Sequence, residues 1–467
     1  MASASTVVPE RAIAFPGEEA SNDARQRASR FEPIALRTYT PSLAVLARSA
    51  GSYHWTPEGR KLADFTSGVL VANLGHNPTA WWRRVEGYLG IDALDTDQPF
   101  ITAAPLTAYN AVTPLELDAC ERLVDCLRSQ PGGTRMEQVL WAASGSEAVQ
   151  KALWAAMKRI PGRDRILATR FGFHGKKGLA GAVTGSEQDP ERDPRVRFIR
   201  FPMEECVDLD HRRRAIDLTV YEAELREVDR DLSGRVACLI TEPYLGGGGS
   251  YHPQPEYLQL VERFCRERDI VFILDEIQSN FGRTGPLFAF TRYGIEPDLV
   301  CLGKGLGNGV PVSAVVGRAD VLDSLRYGEG SDTWSANPLS AAAVLATLDD
   351  FRDDRPIAAG RALARVIEDG LVRLQSTGLV AHVRGEGCVW GIECGPMGNR
   401  SPSEVAVACV RACYVGDDRG RAIHLLGPLA GKVIRVSPPL VMPVGEARDY
   451  LDAMRAIFEC VARDLST

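Results

Sequence analysis

Hydrophobic positions in the middle of the chain fall into short continuous runs separated by amphipathic stretches. The runs Ile166–Thr169, Val236–Thr241, Ile270–Leu274 and Leu299–Leu302 are each of strand length. Because strands that are apolar throughout are buried on both faces, the pattern predicts a mostly parallel sheet. Between two of these runs, Glu256–Arg268 places its apolar side chains on one helical stripe. The alternation of strand and helix predicts an α/β domain with right-handed crossovers.

The pattern differs at the two ends of the chain. Residues 1–40 are polar and charged with little periodicity, which indicates an N-terminal extension. After a helix predicted at Pro338–Phe351, the sequence becomes α+β, with a strand at Val433–Val436 and a closing amphipathic helix. A chain of 467 residues is long for a single core, so at least two domains are expected.

Composition and charge exclude several classes of protein. The formal net charge is −7, which argues against nucleic-acid binding because such proteins usually carry a clustered basic face. No apolar run approaches the length of a membrane span. The N-terminus lacks the pattern of a signal peptide, and eleven scattered cysteines are typical of reduced thiols. We therefore expect a cytoplasmic protein without membrane segments and without a metal site.

Candidate chemistry begins at Lys304, which directly follows a predicted strand and is flanked by Gly303 and Gly305. Glycine neighbours let the backbone turn tightly and let a bulky group approach. A surface lysine in a glycine-rich loop is the alternative. A dinucleotide loop does not fit, because Val310–Gly317 predicts another strand where such a loop needs a helix.

A carboxylate occupies the corresponding position on a neighbouring predicted strand. Asp275 ends the run IVFILD, and the carboxyl ends of parallel strands open into the crevice where α/β proteins bind ligands. A lysine that bonds an aldehyde and an aspartate that keeps a pyridine nitrogen protonated are what pyridoxal phosphate requires. A turn or cap residue is the alternative for Asp275 taken alone.

The segment SGSEAV, residues 144–149, joins a strand predicted at Gln138–Ala142 to a helix predicted at Glu147–Arg159. The unpaired amides at such a helix start, with the hydroxyls of Ser144 and Ser146, predict a phosphate site. A capping box of Ser144 and Glu147 explains the same residues, and both readings can hold together.

Taken together, these segments resemble the class III aminotransferases of the ornithine, 4-aminobutyrate and ω-amino acid type, over roughly Gly51 to Pro443. The matching motifs occur in the family's order: DFTSGVLVANLGHNP (64–78), SGSEAV (144–149), FGFHGKK (171–177), TEP (241–243), LDEIQSNFGRTG (274–285), PDLVCLGKGLGNGVP (297–311), TWSANPLSAAAVLATL (333–348) and IRVSPPL (434–440). The resemblance implies an α/β chain of fold type I with pyridoxal 5'-phosphate as cofactor. A large domain with a mostly parallel seven-stranded sheet and a smaller α+β domain built from both chain ends are expected. The implied division is an extension at 1–40, small-domain segments at 41–95 and 351–467, and a large domain at 96–350.

The resemblance also implies roles for individual residues. Lys304 is the Schiff-base lysine and Asp275 pairs with the pyridine nitrogen. The remaining cofactor contacts are Ser144, Gly145 and Ser146 at the phosphate, Phe173 on the ring with His174 beside it, and Glu242 and Gln278 close to the cofactor. Thr333 reaches the phosphate of a neighbouring subunit, which implies a homodimer with shared active sites. Arg435 binds a substrate carboxylate, and Tyr109 and Val71 are further substrate contacts.

One position departs from the family pattern. Where the family commonly has a glutamate five residues after that of TEP, this chain has Gly247 within the run GGGG. In relatives, that glutamate pairs with the arginine corresponding to Arg435 and lets one pocket alternate between amino donors. Its absence leaves two readings: an Arg435 that stays free for a carboxylate, or a pocket opened for a bulkier amine.

The predicted reaction is therefore a ping-pong transfer of an amino group from an amino-acid donor, with glutamate first, to an aldehyde or ketone acceptor. An amino sugar or another natural-product intermediate would suit an enlarged pocket. A pyridoxal-phosphate-dependent epimerase or racemase shares the same cofactor residues and is the alternative. A catalytically silent cofactor-binding protein is disfavoured by the retention of Lys304 and Asp275.

Overall fold

The computed structural model describes residues 13–36, 40–91, 99–189 and 193–466. The strands, in chain order, are β1 (Arg48–Ala50), β2 (Tyr53–Trp55), β3 (Lys61–Asp64), β4 (Gln138–Ala142), β5 (Arg165–Thr169), β6 (Val196–Ile199), β7 (Val236–Thr241), β8 (Val271–Asp275), β9 (Leu299–Leu302), β10 (Ser313–Gly317), β11 (Val380–Glu386), β12 (Val389–Cys394), β13 (Ala422–His424), β14 (Leu426–Leu429) and β15 (Val433–Val436).

The helices are α1 (Glu19–Phe31), α2 (Ser67–Leu70), α3 (Thr79–Leu89), α4 (Pro114–Arg128), α5 (Gly145–Arg159), α6 (Gly178–Ala182), α7 (Leu209–Arg212), α8 (Thr219–Leu232), α9 (Pro255–Glu267), α10 (Ala289–Tyr293), α11 (Ala319–Leu322), α12 (Pro338–Asp350), α13 (Arg355–Arg373), α14 (Pro402–Val415) and α15 (Val444–Ser466). Short 3₁₀ turns cover Lys304–Leu306 and Leu374–Thr377. In the described ranges, no helix combines the length and apolar character needed to cross a membrane.

The chain folds into two compact units. The larger unit contains Thr79–Cys206 and Asp210–Ile357. The smaller unit contains the described residues before Thr79, the short segment Val207–Leu209 and the chain from Ala358 onwards. The smaller unit is therefore assembled from segments that lie far apart in sequence.

The larger unit is built on a seven-stranded sheet in the order β4-β10-β9-β8-β7-β5-β6. Neighbours from β9 to β6 pair in parallel, and β10 runs antiparallel to both β9 and β4. Strands β7, β8, β9 and β10 are buried along their whole length. The predicted α/β class with a mostly parallel seven-stranded sheet is thereby confirmed.

Helix α5 packs its buried face on this sheet. Its stripe of small side chains, which includes Ala148, Ala152 and Ala156, joins a core that also contains Ile240 and Ile273. Small residues let the helix axis approach the sheet closely, so the start of α5 is held at one fixed position beside the strand ends.

The smaller unit contains two four-stranded sheets, in the orders β1-β2-β3-β13 and β11-β12-β15-β14. The first sheet joins strands from both ends of the chain, because β3 pairs in parallel with β13, with Leu62 opposite Ala422. Helix α14 begins with a capping box in which Ser401 and Glu404 bond each other's backbone amides.

The N-terminal stretch forms a helix that the hydrophobic pattern did not predict. The buried residues of α1 are Ser21 and Arg25, which are polar, so no apolar stripe marks the helix in the sequence. Arg25 donates to the Glu18 carboxylate at 2.7 Å and to the hydroxyl of Tyr414 at 2.9 Å. The helix is therefore anchored within the smaller unit by buried hydrogen bonds.

Candidate active site

A pocket opens in the larger unit where β8 and β9 end. The two strands are neighbours, with Asp275 opposite Cys301, so the chain brings Asp275 and Lys304 to the same edge of the sheet. The residues that line the pocket are Ser144, Gly145, Ser146, Phe173, His174, Gly175, Glu242, Asp275, Ile277, Gln278, Lys304 and Ser313. Nine of the ten residues predicted to contact a cofactor thus surround one cavity.

Lys304 lies at the start of a tight turn after β9. Its φ is 47°, in the left-handed region that non-glycine residues seldom adopt. The turn lies close against the neighbouring strand β10: a Cβ on Gly303 would stand only 2.7 Å from Oγ of Ser313. Strained backbone of this kind concentrates at functional sites, where the surrounding structure fixes the direction of one side chain.

Asp275 is buried and hydrogen-bonded on both of its oxygens. Its Oδ2 lies 2.7 Å from Nδ1 of His174, and Oδ1 accepts the amide of Ile277 at 3.1 Å. Both side chains are almost fully enclosed. The imidazole therefore fixes the orientation of a carboxylate that lines the pocket.

The start of α5 forms another wall of the pocket. Ser144 caps the helix by accepting the amide of Glu147, and Glu147 bonds back to the amides of Ser144 and Ala143. Within the described residues, the amides of Gly145 and Ser146 have no acceptor, as the first turn of a helix requires. The capping box is therefore present, and it leaves two amide donors at the positive end of the helix dipole.

The loop carrying Phe173, His174 and Gly175 is pressed against this helix start. A Cβ on Gly175 would lie 3.0 Å from Cβ of Ser146, and Gly175 has a φ of 145°. Thr184 fixes the loop by accepting the amide of His174 at 2.8 Å and donating to the carbonyl of Gly175 at 2.9 Å. Glycine is therefore required at 175 by both space and backbone conformation.

Glu242 joins this loop to the glycine run that follows β7. Its carboxylate accepts the amide of Phe173 at 2.8 Å and the amide of Gly246 at 3.2 Å. Burial raises the pKa of Glu242 to about 7, with the negative charge of Asp275 acting in the same direction. A buried carboxyl thus connects two segments of the pocket wall.

The glycine run packs closely on the pocket residues. A Cβ on Gly247 would lie only 2.9 Å from Cβ of Phe173, and a Cβ on Gly246 would collide with the side-chain amide of Gln278. Because Cβ of Phe173 is fixed by its own backbone, changing a rotamer would not relieve the contact. The space beside Gly247 is therefore filled by Phe173.

Four predicted residues are not among those that line the pocket. Thr333 is exposed and follows Asp332, whose carboxylate is bonded to the buried amine of Lys151 at 2.7 Å. Tyr109 is 58% exposed, with its hydroxyl 3.3 Å from Oγ of Ser331. In the smaller unit, Arg435 is buried in β15 and Val71 is half-buried after α2.

The pocket includes three residues that the sequence pattern did not single out as site residues: Gly175, Ile277 and Ser313. Gly175 stands within the motif FGFHGKK and Ile277 within LDEIQ, so the motifs carried a signal for both. Ser313 begins β10, which runs antiparallel to its neighbours, and only the sheet order reveals that this end meets the pocket.

The donor set fits pyridoxal phosphate. The free amides at the start of α5 suit a phosphate, and the oriented Asp275 carboxylate suits a protonated pyridine nitrogen. Lys304 supplies an amine in the same pocket, and Phe173, a residue that is 39% exposed, also lines it.

Comparisons with known proteins agree with this geometry. The family model described as aminotransferase class-III matches residues 34–458. A 2-aminoadipate transaminase of Pseudomonas putida is 31% identical, with the alignment covering 90% of this chain and 95% of that protein. An acetylornithine aminotransferase of Agrobacterium fabrum is 30% identical, with coverage of 88% and 92%.

A solved structure supports the fold. The ornithine aminotransferase from Toxoplasma gondii matches with a TM-score of 0.77 and 24% identity, covering 95% of this chain and 96% of that one. The extent of the family match, the relatives and the pocket together lead to one conclusion: the chain belongs to the class III aminotransferases, which are enzymes that depend on pyridoxal phosphate.

Proposed function

We propose that the enzyme transfers an amino group from a carboxylate-bearing amino acid, with glutamate as the first candidate, to an aldehyde or ketone by a ping-pong mechanism. The observation that supports this proposal is the single pocket shared by Lys304, Asp275 and the start of α5. A lysine amine, a buried carboxylate and a phosphate-binding helix end serve different parts of one cofactor.

Pyridoxal phosphate, when bound, supplies an aldehyde that reacts with amines and a ring that accepts electrons. Lys304 would provide the amine that holds the cofactor and the base that takes the proton from the substrate α-carbon. Asp275 would hold a proton on the ring nitrogen of the cofactor by its negative charge. His174 keeps the Asp275 carboxylate in position through the 2.7 Å hydrogen bond.

The names of the relatives support a donor with a carboxylate. They are described as acting on 2-aminoadipate, acetylornithine and 4-aminobutyrate, each of which carries a carboxylate beside its amine. We propose Arg435 as the carboxylate contact, as the family resemblance implies, since a planar guanidinium binds a carboxylate through two parallel hydrogen bonds. Tyr109 and Val71 are proposed as neighbouring substrate contacts.

Gly247 bears on the choice of acceptor. The position lacks the glutamate that the family resemblance leads one to expect, so residue 247 itself contributes no carboxylate that could pair with an arginine. It also offers no added volume, because Phe173 fills the space where a side chain would begin. We propose a small aldehyde or ketone as the first acceptor, and an amino sugar or another natural-product intermediate as the alternative.

We further propose a homodimer with shared active sites. In the larger unit, the segment from Phe100 to Leu117 exposes a series of apolar side chains: Phe100, Ile101, Leu106, Val112 and Leu117. An exposed apolar series of this size is characteristic of a protein interface. Thr333 and the 62%-exposed Trp334 are likewise available for contact with a second copy.

The proposal is tested by following each half-reaction separately. The purified holoenzyme is mixed with L-glutamate without any acceptor, and both the visible absorbance of the bound cofactor and the release of 2-oxoglutarate are measured. We expect one equivalent of 2-oxoglutarate per chain, followed by recovery of the absorbance when a small aldehyde is added. Lys304→Ala should lower the rate of the first step by at least about 1000-fold.

Other outcomes would overturn parts of the proposal. Incorporation of solvent deuterium into the amino acid without release of an oxo acid would indicate an epimerase. Turnover with amino-sugar aldehydes but not with small aldehydes would contradict the acceptor assignment. If glutamate is inactive and another carboxylate-bearing amine is active, the proposed donor is wrong and the proposed reaction type stands.

A further inference from the structure

A compact group of titratable side chains lies in the smaller unit and has no part in the chemistry proposed above. His54 is on β2, Asp64 ends β3, and His76 follows the loop after α2. Their ligand atoms lie within 4.8 Å of one another. Three of the chain's seven histidines meet here, because the ring of His424 on β13 also lies 5.6 Å from the ring of His54.

The strand register explains why these residues meet. Asp64 lies opposite His424 on β13, and His54 lies opposite Leu62, two residues before Asp64. Side chains two residues apart on a strand point to the same face, so His54, Asp64 and His424 share one face of the sheet. His76 is brought to this group by a backbone pairing with Gly51.

The contacts within the group are those of an incomplete site. Asp64 is fully buried, and its Oδ2 lies 2.7 Å from Nε2 of His76 and 3.4 Å from Nε2 of His54. His54 is 2% exposed, yet its Nε2 forms no hydrogen bond to any described residue. This ring nitrogen lies within ion-pair distance of the Asp64 carboxylate but in poor hydrogen-bond geometry, whereas buried polar atoms are normally well paired.

The outer contacts hold both side chains in the orientation that a metal ion needs. Nδ1 of His54 is hydrogen-bonded to Oγ of Ser49 at 2.7 Å. When Nδ1 carries the proton, Nε2 keeps its lone pair for a metal. The second oxygen of Asp64 accepts the amide of Thr66 at 2.8 Å and its hydroxyl at 2.7 Å, which leaves Oδ2 directed at the two histidines.

We propose that His54, Asp64 and His76 bind a divalent transition-metal ion of the zinc class through Nε2, Oδ2 and Nε2. Two ligands of a tetrahedral zinc ion with bonds of about 2.1 Å stand about 3.4 Å apart, which matches the separation of His54 and Asp64. The distance from His76 to Asp64 is that of a hydrogen bond, and it lengthens when the ion replaces the shared proton. His76 is the partly exposed member of the set, so it provides the entry path.

The proposed role is structural. The ion joins β2, β3 and the segment after α2, all of which belong to the smaller unit. Imidazole and carboxylate ligands suit zinc and its neighbours among the first-row metals, and they disfavour calcium and magnesium, which take oxygen ligands.

Calorimetric titration of the holoenzyme with Zn²⁺, after purification without a histidine tag and dialysis against a chelator, tests the proposal. We expect about one equivalent bound per chain with micromolar or tighter affinity, and a rise in the unfolding temperature. His54→Gln and Asp64→Asn should each weaken binding by at least about 100-fold, and Ser49→Ala by about 10-fold. His382→Gln is the matched control, because His382 also pairs with an aspartate of the same unit, Asp208, at 3.3 Å.

If Asp64→Asn does not fold, His76→Gln replaces it, because that change lies at a partly exposed loop position. The proposal would be overturned if Zn²⁺ released or absorbed no heat on titration into the parent enzyme and did not raise its unfolding temperature. So would Zn²⁺ affinity that persists unchanged in His54→Gln and His76→Gln, since the ion would then bind elsewhere.

Discussion

Among single residues, the pocket is shaped by places where two stretches of backbone approach closely. Gly175 lies against Ser146, and Gly247 lies against Phe173. Each contact leaves no room for a side-chain carbon. The glycine at 247 is therefore linked to the position of the Phe173 backbone, and a side chain at 247 would force one of the two segments to move.

Gly247→Ala tests this contact. The new methyl group would lie 2.9 Å from Cβ of Phe173, so either the loop or the glycine run has to move. We expect a loss of about 1–3 kcal/mol in the free energy of unfolding, the usual effect of overpacking, together with weaker cofactor binding. Gly87→Ala is the control, because a Cβ there has nothing within 4 Å, and α3 should be unchanged or slightly more stable.

Glu242 gives a prediction about pH. Its pKa is about 7 in the folded chain against 4.5 for an ordinary glutamate, so the folded state holds a proton that the unfolded state has released. The free energy of unfolding of the cofactor-free protein should therefore fall between pH 4.5 and 7, by up to about 3 kcal/mol from this group.

Comparison with Glu242→Gln isolates that contribution. The variant loses one hydrogen bond at every pH. Its free energy of unfolding, measured by urea midpoints, should improve relative to that of the parent as the pH rises from 5.5 to 8, because only the parent loses the contribution of Glu242. Glu276, whose pKa burial also raises to about 7, contributes equally to both proteins and cancels. Glu256→Gln changes an exposed side chain and should run parallel to the parent, whereas a parallel course for Glu242→Gln would contradict the assignment.

At the scale of secondary-structure elements, the start of α5 has two possible duties. Ser144 and Glu147 form the same capping box as Ser401 and Glu404 on α14. A cap stabilises a helix in either place, whereas only the first lies in the pocket. The capping box on α14 therefore serves as a control that separates the effect of helix capping from the effect of phosphate binding.

Ser144→Ala and Ser401→Ala should each cost about 1 kcal/mol of unfolding free energy in the cofactor-free protein. Ser144→Ala alone should also raise the dissociation constant of pyridoxal phosphate, by about 10-fold, the equivalent of one hydrogen bond. Urea unfolding measures the loss of stability, and cofactor titration followed by absorbance measures the dissociation constant in each variant. Equal cofactor affinities in the two variants would show that Ser144 serves only as a cap.

The elements also show which parts of the structure the sequence could predict. Strands β7, β8 and β9 were recognisable because they are apolar along their whole length, and their ends located Asp275 and Lys304. Helix α1 was not predicted because polar residues anchor it. The place of Ser313 in the pocket was not predicted because it depends on which strands become neighbours. Patterns along the chain report burial, whereas pairing between distant segments leaves no local signal.

For the whole molecule, the exposed apolar series from Phe100 to Leu117 leads to a prediction of oligomeric state. Light scattering coupled to gel filtration should give a mass near twice the 50.8 kDa of the chain. Phe100→Asp with Val112→Asp should shift the mass towards that of one chain, because charges are disfavoured in the core of an interface. Lys61→Asp, a change at an exposed position of the smaller unit, should leave the mass unchanged.

The pairing of β3 with β13 has a consequence for how the protein is made. Leu62 leaves the ribosome long before Ala422, its partner across the sheet, has been synthesised. At about 5–20 residues per second, the edge of β3 waits roughly 20 to 70 seconds for that partner. During this interval the larger unit can complete its own sheet, while β1, β2 and β3 remain an unfinished ribbon with an open edge. Nascent chains should therefore be most prone to aggregate, and most dependent on chaperones, in the interval before Ala422 and its neighbours in β13 emerge.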